Sequence, residues 1–136
     1  MMKAIIAVIA GFVSAFAIMM AFEFTNSLFF PFPAGMDVND IVQVRAFAAA
    51  MPLMALVLVE LGWIIGSFAG GFIATRLAGG ETLTPAHITG VLLTATGALN
   101  AFMIQNPLWF HIGSLPVFVL VSAIGASVAV STRRVT

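Results

Sequence analysis

The sequence predicts an all-α polytopic membrane protein: a bundle of four transmembrane helices, with a short interfacial helix after the first span. Three observations carry that expectation. The 136 residues are 62% hydrophobic and 7% charged, against about 25% charged in soluble domains. The apolar residues gather in four runs, near 4–30, 52–77, 85–104 and 113–130. Each approaches the roughly 20 residues that a helix needs to cross a bilayer. Proline- and glycine-containing breaks separate the runs, and four spans use nearly all of the length, so one transmembrane domain over 1–136 is expected.

The first run follows Lys3 and continues through Phe30 with few polar interruptions. Ala4 to Val13 also fits the apolar part of a secretory signal, with Ala15-Phe16-Ala17 resembling a cleavage site. The apolar run goes on to Phe22 without a polar segment, which favours a retained span. Pro31-Phe32-Pro33-Ala34-Gly35 then breaks the helix. Asp37 is read as an N-cap, with Asp40 in the first turn, where negative charge suits the helix dipole. Ile41 to Met51 follows as the interfacial helix.

Pro52 is read as a first-turn residue opening the second span, which Arg76 and Gly79-Gly80 close. Thr84-Pro85 opens the third span, and Gln105-Asn106-Pro107 ends it. Trp109, Phe110 and His111 are expected at the headgroup level, which amphipathic rings favour. The fourth span runs from about Gly113 to Val130. Lys3, Arg76, Arg133 and Arg134 fall on one side of these spans and Arg45 on the other. That bias predicts a bacterial cytoplasmic (inner) membrane protein with both termini cytoplasmic.

The second span, VLVELGWIIGSFAGGFIATRL, is expected at the centre of the bundle. At ~100° per residue, Gly62, Gly66 and Gly70 share one stripe, while Glu60, Ile64, Ser67 and Gly71 fall nearly opposite. The glycine stripe suits close backbone approach, within one protomer or between two copies. Span three has its own stripe, Gly90, Thr94, Gly97 and Ala101, a candidate internal partner. Span four offers Ser122, Gly125, Ala126 and Ala129. Trp63 and the scattered methionines are read as packing residues.

Five polar groups fall at a similar predicted depth. By helical rise, Glu23 lies ~30 Å above Lys3 and Glu60 ~24 Å above Arg76, with Asn100 ~20 Å and Gln105 ~27 Å above His87. Asn26 lies slightly higher than Glu23. Two carboxylates in one low-dielectric pocket would bind a cation or relay protons. The alternative is structural: a protonated Glu60 would hydrogen-bond Asn100 or a backbone carbonyl and set helix register.

Other chemistries find little support. The net charge is zero, with no basic patch for nucleic acid. There is no cysteine, and the two histidines show no metal-ligand spacing. Ser67 has no neighbouring histidine that would make it a nucleophile. No cofactor, metal or enzymatic activity is therefore expected. The lipid bilayer is the expected partner, with a second copy or another membrane protein as further candidates.

The segments PFPAGMD, MPL at Met51-Pro52-Leu53, Gly62-Trp63, GSFAGGFIATR and NPLWF occur in that order over about three quarters of the chain. In this the chain resembles a group of small four-span bacterial membrane proteins of unknown function. The resemblance implies the four-span architecture and brings no activity. That group carries His-Pro at the last turn. Here it is Asn106-Pro107, so no role of that histidine transfers. Two other four-span families of similar size fit less well. The glycine-rich Thr/Ser filter pattern of fluoride channels is absent, and small multidrug exporters place their carboxylate near the middle of span one, whereas Glu23 lies near one end. Two functions are thus expected: a non-enzymatic structural or accessory subunit packing through small-residue faces, or a small transporter or channel subunit using intramembrane carboxylates.

Overall fold

A computed structural model describes residues 1–133; Arg134, one of the basic residues assigned above to the terminal side, lies outside the described residues. Among the described residues five helices form: α1 (Met2–Phe29), α2 (Ile41–Ala49), α3 (Leu53–Ala78), α4 (Thr84–Ile104) and α5 (Leu108–Arg133). All but α2 are long and apolar enough to span a membrane. In hydrocarbon a helix satisfies its own backbone polar groups, which is why apolar runs of this length take that form.

Three boundaries differ from the sequence reading. Asp40, not Asp37, is the N-cap of α2, its carboxylate accepting from Val42 N at 2.9 Å. Asp37 instead closes a local turn by accepting from Asn39 N at 2.9 Å. The Pro-rich linker leaves both aspartates in a turn, and the cap falls to the one directly before the helical residues. Pro52 sits at the N-cap of α3 with extended ψ, one position before the first turn.

The third difference is larger. α5 starts at Leu108, because Phe110 N already bonds Pro107 O at 2.9 Å. Trp109, Phe110 and His111 are therefore helical. Trp109 is 58% exposed, whereas Phe110 and His111 are 4% and 7% exposed and turn into the bundle.

The helix ends are explained locally. α3 stops at Gly79 and Gly80, whose φ values of 127° and 72° favour glycine, and Gly80 N bonds back to Thr75 O at 2.8 Å. α4 ends at Gln105 in the left-handed region, φ 58°. Arg45 of α2 donates to Met103 O at 2.8 Å and reaches Phe102 O at 3.5 Å. Its guanidinium thus fills carbonyls that the end of α4 leaves open and complements the dipole there. This ties α2 to the end of the bundle opposite Lys3, Arg76 and Arg133, which surround one shallow depression. Arg133 also pairs with Glu81 at 3.4 Å.

The helices follow the order α1, α3, α5, α4 around the bundle, and α3 makes the most extensive contacts. It runs antiparallel to α1: Gly62 lies against Phe22, Gly66 against Ala15 and Met19, and Gly70 against Gly11 and Ala15. It runs parallel to α5, where a Cβ on Gly71 would overlap the Ser122 carbonyl and one on Gly125 would overlap Phe68 O. Ser122 Oγ donates to Ser67 O at 3.1 Å across the same seam. The Gly62–Gly66–Gly70 stripe is thus occupied by α1 within the protomer. Gly90 and Gly97 of α4 face Phe118 and its neighbours on α5, so the α4 stripe does not partner the α3 glycines as expected.

Candidate functional site

Around the α2 end, α1 and α4 do not close. No small-residue stripe meets another across this seam. α1 presents Phe16, Met19, Met20 and Glu23, and α4 presents Leu93, Thr96, Gly97 and Asn100. Bulky flexible side chains facing each other hold the backbones apart, whereas glycine faces bring them together.

The upper part of this seam is a cavity of about 180 Å³. Its polar lining is Glu23, Asn26 and Ser27 of α1, Asn100 of α4 and Asn106 of the turn after α4. Val44, Phe47 and Ala48 of α2 lie over it, and Trp63 of α3 contributes its ring from below. Trp63 is 6% exposed and held by Phe110 and Phe118, with ring centroids 5.3 and 5.2 Å away. A second space of about 150 Å³ continues down the seam and shares Glu23, Trp63 and Asn100 with the first.

Two fully buried polar atoms of the cavity have no hydrogen-bond partner among the described residues. Asn26 is 3% exposed, and its Oδ1 has no partner among the described residues. Asn106 Oδ1 is buried and lacks one as well. No described residue donates to the Glu23 carboxyl within the geometry of a hydrogen bond. A buried acceptor left without a donor typically costs about 1–3 kcal/mol. The fully buried unmet atoms are two amide oxygens, and with the half-buried Glu23 carboxyl beside them the cavity suits a cationic donor.

Two residues expected in this cluster stand apart from it. Glu60 points to α5, where Ser114 Oγ donates to its Oε2 at 2.5 Å. It lines a different depression, with Leu53, Leu56, Val57, Trp109 and Phe110. The reason is angular. At ~100° per residue Glu60 lies roughly 120° round the helix from the centre of the Gly62–Gly66–Gly70 face that meets α1. The expected Glu60–Asn100 bond is accordingly absent among the described residues, and a Glu23–Glu60 pair is not assembled. Gln105 is exposed and caps α4, where its left-handed backbone turns the chain. Glu23, Asn26 and Asn100 are the members of the expected cluster that the fold brings together.

Sequence reasoning missed four contributors. Asn106 was read only as a turn residue, although a polar residue before Pro107 next to an intramembrane cluster was a usable signal. Trp63 was assigned to the core; its ring is packed there but also faces the cavity. Val44 and Phe47 gave no sequence signal, because the docking of α2, through Arg45 on the end of α4 and Phe47 against Phe32, brings them over the opening. His111, expected at the boundary, is buried, and neither ring nitrogen has a partner among the described residues.

Comparison with known proteins adds no relative: no family model, curated protein or solved structure matches the chain.

Proposed function

We propose that this chain is a non-enzymatic membrane protein that binds a small, positively charged, hydrogen-bond-donating ligand in the cavity between α1 and α4. The observation that carries this reading is Asn26, buried to 3% exposure with its Oδ1 unpartnered among the described residues and lining the same cavity as Glu23. An ammonium group would complete both: it matches the carboxylate by charge and supplies donors to the amide oxygens. Trp63 adds a ring face of the kind that attracts cations.

This narrows the carboxylate mechanism expected from the sequence. One carboxylate, Glu23, carries the site, and a two-carboxylate proton relay through Glu60 is not part of the proposal. In a bacterial inner membrane, with the arginine- and lysine-bearing end cytoplasmic, the α2 end and its cavity face outward. The ligand then arrives from outside the cell. A transporter or channel subunit is the version of this function in which the ligand also leaves on the other side.

The test is thermal stabilisation of the detergent-purified protein by n-butylammonium chloride, with sodium chloride as the ionic control. A ligand at 100 times its Kd stabilises the folded state by about 2.7 kcal/mol. The expected result is a saturable rise in Tm in wild type that is lost in Glu23→Gln and kept in Glu60→Gln. Equal shifts in both variants would refute the site.

A second reading keeps the chain as a structural or accessory subunit. Glu60 favours it, because its hydrogen bond to Ser114 joins α3 to α5 inside the bundle. The glycine stripes are occupied internally, so such a subunit would meet a partner through its exposed apolar faces. Detection of a stable complex in native membranes, insensitive to Glu23→Gln, would favour that function over ligand binding.

A further inference from the structure

The spaces along the α1/α4 seam are connected in a way that restricts the ligand's shape. The polar cavity shares Glu23, Trp63 and Asn100 with the space below it, and that space shares Thr96 with a groove bounded by Phe12, Leu92 and Leu99. Below Asn100 the lining is almost wholly apolar: Phe16, Met19, Met20 and Leu93. From Glu23 to Phe12 the helix rise is ~16 Å, the length of about a dozen methylenes. The seam therefore has acceptors at one end and a hydrocarbon-compatible trough leading from them.

We infer that the ligand is a single-chain amphiphile with a primary ammonium head, the head held at Glu23 and Asn26 and the alkyl tail lying in the α1/α4 seam. The inference rests on the ligand-binding reading above and adds the tail. Charge decides the head: among the described residues the ionisable group that lines the polar cavity is the Glu23 carboxyl, and the fully buried unpartnered atoms there are acceptors. An anionic head such as a sulfate would meet Glu23 with like charge and bring no donor. Solvation decides the tail: a detached small cation would leave the trough to bulk lipid, whereas an attached chain fills it without a further loss of translational freedom.

The structure supplies its own reporter. Trp63 stands where the two spaces join, and Trp109, the other tryptophan, is exposed and lines neither. In a Trp109→Phe background in phosphatidylcholine nanodiscs, Trp63 fluorescence is followed while a 12-carbon primary alkylamine brominated along its chain is added. Saturable quenching is expected, strongest for bromine a few carbons from the head. Dodecyl sulfate with the same bromination should quench only by unsaturable collision. Glu23→Gln should weaken the amine's half-saturation at least tenfold. Thr96→Phe, at an exposed position that borders the trough, should abolish saturable quenching by the long chain while n-butylammonium still protects the fold.

The outcomes separate the two claims. If n-butylammonium stabilises the protein in a Glu23-dependent way but brominated dodecylamine quenches no better than the sulfate, the tail assignment is overturned and the cation site stands. If neither amine acts through Glu23, both fall. Quenching unchanged by Thr96→Phe would also sink the tail assignment, since the chain would then lie elsewhere in the bilayer.

Discussion

The two sides of α1 are built on opposite terms. Toward α3 it presents Ala7, Gly11, Ala15 and Met19, all buried, and the backbones come close enough that a Cβ on Gly11 would fall 2.5 Å from Gly70 O. Toward α4 it presents Phe12, Phe16, Met20 and Glu23, and the seam stays open around cavities. Between two helices in lipid there is little hydrophobic gain to be had from contact, so close packing of small residues decides which seams seal. The seam that seals leaves no room for a ligand. The one that does not seal keeps a carboxyl and two amide oxygens without donors. Stability and binding thus fall largely to different faces of one helix, with Met19 at their border.

The sharpest way to break the comparison is to add bulk to a sealed seam. Gly71→Leu drives a side chain into the Ser122 carbonyl, a backbone atom that cannot rotate away. The expected cost exceeds about 3 kcal/mol, since overpacking against a rigid neighbour lies at the upper end of such effects. Loss of the monodisperse folded fraction in detergent would show it. Thr96→Phe on the open seam should leave that fraction intact.

The two glutamates should respond with opposite sign. Glu60→Leu removes the tie between α3 and α5 at Ser114, whose Oγ keeps only Phe110 O at 2.7 Å within its own helix, and is expected to destabilise by about 1 kcal/mol, while Glu60→Gln, which keeps a polar partner, changes little. Glu23→Leu removes a carboxyl that has no described partner and should stabilise the ligand-free protein by about 1 kcal/mol while ending amine binding. Thermal unfolding of both variants without ligand is the check. Equal destabilisation would mean that Glu23 is as structural as Glu60.

Smaller effects concern the cover. Arg45→Ala removes the bonds to Met103 and Phe102 carbonyls and should free α2 from the end of α4, at about 1 kcal/mol. Hydrogen exchange in residues 41–49 should rise while exchange in α3 stays unchanged. The Asp40 carboxyl is held below the ordinary carboxylate range by the Gln43 side chain, which donates at 2.9 Å, and by Val42 N. A lowered folded value means that its support of α2 is present above the ordinary range and is lost as pH falls through the folded value. Exchange in α2 should accelerate in acid, and Asp40→Asn, which still caps, should remove that pH dependence.

Much of the architecture was legible because it follows from local rules. Apolar runs of span length, Pro-Phe-Pro, Gly79-Gly80 and Asn106-Pro107 gave the helices within a few residues of their ends, except that α5 starts at Leu108. That difference arose because Trp109 and His111 are amphipathic, and composition alone does not separate an interfacial ring from one turned inward. The candidate site was legible in part. The common depth of Glu23, Asn26 and Asn100 follows from counting rise along helices, and the fold does bring these three to one cavity. Glu60 and Gln105 share that depth but face elsewhere, because depth says nothing of direction around the axis.

What the sequence by itself determined is that α3 has two special faces, roughly 120° apart at ~100° per residue: one of Gly62, Gly66 and Gly70, the other holding Glu60, Ser67 and Gly71. Periodicity alone requires that. Only the tertiary structure decided which neighbour takes which face. α1 took the glycines, α5 took the polar side, and Glu60 was thereby turned away from the Glu23 that α1 carries. The physical reason is that several helices offer small residues, so more than one pairing satisfies the pattern. The choice among them depends on how all four spans pack at once.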